Sequence, residues 1–434
     1  MKKFAILVTG QLVSSIGSGL TDFGLAIYIL ALTGSVTAAS IVSICAFLPS
    51  ILLAPVGGVL ADRYDRRAMM ILGELLSGLG LGICLISTLS TEPSLVLICT
   101  GVGISSLFTA LMEPAFKATV TDLLSEEDFA RAGGLVQIAS NAKLLISPAV
   151  AGLLLQITTV STLIIIDMLT FFSTAVIILI VKKGMAAKPG KAGGSDFRRE
   201  MEEGIAAIRG RSGIAAMIMI MTVAVFCLGF IQILSKPLIL AFAGERELGI
   251  LAAVSAWGIM AGSIAVSCMK HVKSYVGMLS WGMVGCGSFF ALMGIRANVL
   301  LIAVFGFMMF VFMPAVQIGA EVLIRRNLPN EIQGRAFGLI SFVTQLGYIF
   351  AYILSGVLAD YVFEPFMSGG SLPAVKIGNV IGIGAGRGIA LLILLAGIAL
   401  AAVGIVVSRL ESVRTLERRS TIDGIINEAY PEGF

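Results

Sequence analysis

Apolar residues run along this chain in long blocks separated by short polar breaks. Residues 4–61 hold one charge, Asp22, and the turn around Thr33-Gly34-Ser35 divides them into two blocks. Further blocks fall at about 69–90, 94–115, 132–156 and 159–181. After a polar stretch they resume at about 213–241, 248–269, 276–295, 298–323, 336–360 and 387–408. A helix needs about 20 predominantly apolar residues to cross a bilayer. The pattern therefore predicts an all-α membrane protein with twelve transmembrane helices. The first block follows Lys2-Lys3, as a signal peptide would, but it is too long for an h-region and opens a series of blocks. It reads as an uncleaved span.

Composition agrees with lipid as the usual exterior. The 434 residues are 57% hydrophobic and 13% charged, with a mean hydropathy of +1.00, against about 25% charged in soluble domains. The 50 glycines suit close helix packing in a bilayer. A net charge of +4 is too small to suggest nucleic acid. Cys45, Cys84, Cys99, Cys227, Cys268 and Cys286 lie in apolar runs at no metal-ligand or redox spacing, so free thiols are expected, with no metal and no cofactor.

Basic residues set the orientation. With the N-terminus in the cytoplasm, 24 of the 30 Lys and Arg residues fall inside. Arg246, Arg296, Lys376 and Arg387 fall outside, and Lys143 and Lys236 lie within spans. A miscounted helix would scramble this partition. Both termini are therefore expected on the cytoplasmic side; the bacterial inner membrane is implied by the resemblance described below.

The two halves of the chain repeat at an offset of about two hundred residues. Pro114-Ala115 is echoed by Pro314-Ala315, and Arg131-Ala132-Gly133-Gly134-Leu135 by Arg335-Ala336-Phe337-Gly338-Leu339. The second offset, 204 residues, also carries Asn141 to Gln345 and Gly152 to Gly356. The expected organisation is an N-terminal six-helix bundle (1–181), a cytoplasmic linker (182–212), a C-terminal six-helix bundle (213–408) and a polar, partly disordered cytoplasmic tail (409–434). In the linker, Phe197, Met201, Ile205 and Ile208 stand at helical spacing, which predicts an amphipathic helix on the membrane surface, with a solvated tether as the alternative. Duplicated transporters place the substrate near the midplane between repeats.

The run Gly57-Gly58-Val59-Leu60-Ala61-Asp62-Arg63-Tyr64-Asp65-Arg66-Arg67 resembles the signature loop of the major facilitator superfamily. Asp65 stands where that family usually has Gly, so a strained left-handed turn is expected there. Thr33-Gly34-Ser35, Arg335-Ala336-Phe337-Gly338, Gly356 to Asp360 with Phe363-Glu364-Pro365, and Gly386-Arg387-Gly388 resemble the macrolide-efflux-like branch of bacterial drug exporters, which also holds siderophore exporters. The resemblance implies secondary active export of a drug-like molecule by a monomer, coupled to H+ antiport. Two features depart from the proton-antiporter pattern: residues 93–112 carry no Arg, and the fifth-span motif appears only as Ser147-Pro148-Ala149-Val150-Ala151-Gly152.

The resemblance makes Gly58, Asp62, Arg63, Arg66 and Arg67 a cytoplasmic gating loop, with Glu113 at the end of the fourth span as a partner for its arginines. The alternative is that these bases only fix topology. Charges inside spans are costly and functional by default. Asp22 and Lys143 are expected to pair, either as a coupling switch or as a fixed structural pair. Asn141, Asp167, Gln317 and Gln345 complete the candidate substrate or proton-coupling set; for Asp167, packing is the stronger reading. Glu74 and Glu321 read as gate or interface residues near cytoplasmic ends.

The leading reading is ion-driven export of a moderately hydrophobic or amphipathic small molecule. A siderophore or lipid-like metabolite is the second. No Gly-Lys-Ser/Thr loop supports ATP drive. A polytopic membrane enzyme is the remote alternative, because the single histidine, His271, sits between Lys270 and Lys273 with no acid nearby. A channel would need rings of charge or a carbonyl filter.

Overall fold

The computed structural model describes residues 2–122, 142–181, 212–269, 272, 274–328, 330–369 and 372–418. The first half holds α1 (Lys2–Thr33), α2 (Val36–Arg63), α3 (Arg66–Leu89), α4 (Leu95–Asp122), α5 (Ser147–Leu154) and α6 (Val160–Val181). The second holds α7 (Ser212–Leu240), α8 (Glu245–Ser267), α9 (Tyr275–Met293), α10 (Val299–Arg326) and α11 (Asn330–Leu358). It continues with α12 (Glu364–Ser368), α13 (Leu372–Ile381), α14 (Arg387–Val407) and α15 (411–418). Eleven helices among the described residues are long and apolar enough to cross a bilayer. Of the fifth expected span only the part from residue 142 is described; the linker helix expected at 197–208 lies outside the described residues.

Turn chemistry sets the breaks. Gly34 takes φ +63°, which its missing Cβ permits, and the Ser35 hydroxyl caps α2 by accepting the Ala38 N–H at 3.1 Å. At the next turn the expected strain is absent. Asp65 is extended (φ −62°, ψ 109°) and caps α3, its Oδ1 accepting the Arg67 N–H at 3.0 Å. The carboxylate suits a cap because it meets orphan N–H groups at the positive end of the helix.

The eleventh span runs further than its sequence suggested. A π-helical turn over Ala359–Phe363 absorbs an extra residue, and Pro365 follows in the first turn of α12, where a missing N–H costs nothing. Beyond it, α13 was not foreseen. Its Ala374 and Ile381 pack with Met367 and Leu391, while Leu372, Val375 and Val380 are exposed. Buried Arg387 donates to the Ile381 carbonyl at 2.8 Å, and Glu364 accepts the Ile389 N–H at 3.1 Å.

The helices group into two compact units, Met1–Gly193 with Ala243–Ala253, and Gly194–Phe242 with Val254–Phe434. In the first, α3 packs on α4 and α6, and α1 on α5 and α6. In the second, α9 packs on α10 and α14, and α7 on α11 and α14. These four pairings correspond between the two units. Glycines let backbones touch in both: a Cβ on Gly80 would lie 2.6 Å from the Gly101 oxygen, and one on Gly287 2.6 Å from the Gly397 oxygen. The tail read as polar forms α15, which seats Val413 and Leu416. Asn327 donates to the Leu416 carbonyl at 3.2 Å, and Glu417 accepts the Tyr275 N–H at 2.5 Å and the Ser274 hydroxyl at 2.9 Å.

Candidate functional site

The first unit holds a polar seam within an apolar bundle. Ser14, Ser18, Thr21 and Asp22 stand at helical spacing on α1, so they share one face. Gly19 lies against that face: a Cβ there would lie 2.9 Å from the Lys143 carbonyl, so only glycine lets this segment come so close. The approach carries Lys143 to Asp22, where Nζ meets Oδ2 at 2.5 Å. The pair is half-buried, with 43% of the lysine and 50% of the aspartate side chain exposed. The Asp22–Lys143 pairing expected from the sequence is therefore present.

Asp167 faces the same helix from α6 and is buried. Its Oδ1 accepts the Ser18 hydroxyl at 3.3 Å. A Cβ on Gly17 would lie 2.8 Å from that oxygen, so Gly17 keeps the carboxyl's place open. Asp167 Oδ2 is sealed from water, with the buried Thr21 hydroxyl beside it. Asp167 thus lies in the seam as a buried polar group. Glu74 joins it from α3, buried at 1% exposure, with Oε1 unpartnered and Asp167 within electrostatic reach. Its sequence position near the start of α3 suggested a gate or interface residue; α3 packs on both α4 and α6, and Glu74 is buried. The signal for the seam was the spacing of Ser14, Ser18, Thr21 and Asp22.

The other predicted residues scatter. Gly58, Asp62 and Arg63 lie in α2, and the side chains of Asp62 and Arg63 are outside the described atoms. Arg66 is half-buried and Arg67 buried in the first turn of α3. Glu113 is exposed on α4 and within electrostatic reach of Lys143. Asn141 lies outside the described residues. Glu321 pairs with Arg325 one turn along its own helix at 2.5 Å.

The second unit has an apolar cavity of about 160 Å³ between α7, α9, α10, α11 and α14. Met221, Met283, Met313 and Cys286 line it, with Gln317 and Tyr348 as polar groups. Gln317 is one of the residues the sequence offered for a substrate or proton-coupling site. Gln345 is half-buried on α11, and Tyr352 donates to Gln232 at 2.6 Å nearby in the same unit. Flexible methionines adapt to varied apolar shapes. All six cysteines are free.

Residues 7–269 match the family model described as Major Facilitator Superfamily. The chain is 27% identical over 372 residues to macrolide efflux protein A of Streptococcus pyogenes, covering 83% of this chain and 90% of the relative. A shorter stretch of 101 residues is 37% identical to the enterobactin exporter EntS of Shigella flexneri, covering 23% of this chain and 24% of that one. Among solved structures, the nucleoside transporter NupG superposes with a TM-score of 0.73 at 13% identity, covering 95% of this chain and 100% of that chain; this likeness concerns the fold.

Proposed function

The chain belongs to the major facilitator superfamily, and from that premise we propose that it exports a moderately hydrophobic or amphipathic, macrolide-like molecule by proton antiport. It is a multi-pass membrane protein of a family of secondary-active small-molecule transporters. Alternating access between two six-helix halves, in a bacterial inner membrane with both termini cytoplasmic and the protein working as a monomer, completes the reading. The observation that carries it is the half-exposed Asp22–Lys143 pair inside otherwise apolar helices. Charge at that depth is retained for work on a substrate or ion. The methionine-lined cavity suits an apolar cargo, and the likeness to macrolide efflux protein A over most of both chains favours a macrolide.

Asp62, Arg63, Arg66 and Arg67, after Gly58 and with Glu113, form the cytoplasmic gate in this proposal. Asp65 supports it by holding the start of α3 in place. Asp62→Asn should abolish transport at normal expression. The decisive experiment is uptake of a radiolabelled macrolide into inverted vesicles under an imposed pH gradient. Wild type should accumulate drug, and Asp22→Asn should lose about tenfold or more of the rate, as befits a residue in the coupling path. No gradient-driven uptake in wild type would falsify the reading. The stretch shared with the enterobactin exporter supports siderophore export as the second reading, tested by secretion from a siderophore-producing host.

A further inference from the structure

Away from the polar seam, cysteines from three helices of the first unit crowd one level of α4: Cys45 on α2, Cys84 on α3 and Cys99 on α4 itself. Helices α2 and α4 pack closely. Successive spans alternate in direction, so these two run the same way. The Cys45 carbonyl lies where a Cβ on Gly103 would meet it at 3.9 Å, and the Ser106 hydroxyl donates to the neighbouring Ala46 carbonyl. Cys99 stands four residues before Gly103, on the same face of α4 and one turn nearer its start. Side chains on a helix tilt towards its N-terminus. The Cys45 thiol therefore leans from the level of Gly103 towards that of Cys99, and the two thiols come within hydrogen-bond reach of each other. Both are free and half-buried, beside the apolar cluster that holds Val42, Ile98 and Val102. Cys84 differs. It is closed in at 0% exposure, donates its S–H to the Ile98 carbonyl at 3.5 Å, and would meet a Cβ on Gly101 at 2.6 Å. Among the described residues, no three His, Cys, Asp or Glu side chains are grouped to hold a metal ion. The geometry leaves a site of two thiols.

We propose that Cys45 and Cys99 form a dithiol site for a neutral trivalent arsenical, with one arsenic bridging the two sulfurs. This holds whatever the chain transports. Each As–OH group of the hydrated arsenical meets one thiol: the As–O and S–H bonds break, an As–S bond forms, and water leaves. Two such steps consume both thiols. Arsenic stays trivalent, so nothing is oxidised or reduced. Reactants and products are all neutral, which decides between thiophilic ligands here. A charged metal ion would have to enter apolar surroundings, where charge is costly. A disulfide would need the sulfurs to close to about 2.05 Å at a fixed torsion, whereas arsenic spans two sulfurs that are merely in contact. An aryl group on the arsenic adds apolar surface that partitions into lipid, the route to half-exposed thiols on membrane helices. The bridge would tie α2 to α4 beside the Ser106–Ala46 hydrogen bond.

The test uses the full chain in nanodiscs with phenylarsine oxide as the probe. Intact mass counts the arsenic bound, and maleimide labelling after unfolding counts the thiols left of the six. Wild type should take up one arsenic and lose two thiols, resist an excess of monothiol, and be stripped by a dithiol such as dimercaptopropanol. Cys45→Ser and Cys99→Ser should each raise the half-saturating concentration about a hundredfold or more, because the second bond is no longer intramolecular. Cys84→Ser and Cys268→Ser should bind as wild type does. Buried Cys227 and Cys286 should stay unlabelled in every variant before unfolding, which shows that the fold is kept. A serine variant that exposes them is replaced by its alanine counterpart. No uptake by wild type, one thiol lost per arsenic, or unchanged uptake in Cys45→Ser each overturn the proposal. So does loss of uptake in Cys84→Ser with retention in Cys45→Ser, which would move the bridge to Cys84 and Cys99.

Discussion

Glu417 offers a clean energetic test of the C-terminal segment. One carboxylate oxygen accepts the Tyr275 N–H at 2.5 Å, and the other accepts the Ser274 hydroxyl at 2.9 Å. These groups open α9, where unpaired N–H groups and the helix dipole favour an anion. Ser274 is itself the cap, accepting the Gly277 N–H at 2.8 Å, so Glu417→Ala strips both the helix start and its cap of an anchor. Hydrogen bonds to charged groups contribute about 1.5–3 kcal/mol each. Glu417 is half-buried, and water will replace part of what is lost. The expected net cost is about 2 kcal/mol, a change of about thirtyfold in the folding equilibrium. Buried Cys84, Cys227 and Cys286 supply the assay: a thiol-reactive fluorophore reports their exposure as the protein unfolds in detergent. Glu417→Gln, which keeps one acceptor oxygen, should fall between wild type and alanine. If Glu417→Ala unfolds like wild type, within about 0.5 kcal/mol, then α15 is a passenger and the capping argument is wrong.

Other outcomes follow from the same reasoning. Asp65→Ala removes the α3 cap and should cost about 1 kcal/mol in the same thiol assay; an unchanged profile would mean the cap contributes nothing. Gly17→Ala puts a methyl against Asp167 and Thr170; it should destabilise by about 1–3 kcal/mol and lower gradient-driven flux, and normal flux would show that the seam tolerates displacement. Exposed Cys268, at the end of α8, should react with a membrane-impermeant maleimide in inverted vesicles and not in intact cells. The opposite pattern would reverse the proposed orientation.

Much of the fold was legible because lipid leaves few choices. The break at Gly34 and the long apolar helices follow from block length and turn residues alone. What escaped was set by packing. Pro365 reads as a helix stop, but the π turn before it puts the ring in a first turn, where it fits. Helix α13, ten residues long, is too short for a span and fell between the apolar blocks. Asp65 looked strained because the family pattern has glycine there, whereas a carboxylate can cap from an extended backbone. In the site, the cost of charge in lipid singled out Asp22 and Lys143, and the family resemblance, which brings the first and fifth helices together, paired them. Glu74 was not readable in this way, because depth along α3 is fixed by which neighbours cover it.

The repeat makes the contrast between the halves concrete. The offset that carries Asn141 to Gln345 carries Lys143 to Gly347. Where the first half keeps an ammonium group, the second has no side chain at all, and α11 lies so close to α7 that a Cβ would sit 2.8 Å from the Thr222 oxygen. Positions matched by the repeat thus differ, with an ion pair in one half and tight backbone contact in the other. In the proposed reading the two repeats divide the labour: one carries the ion pair, and its twin a greasy hollow edged with methionine.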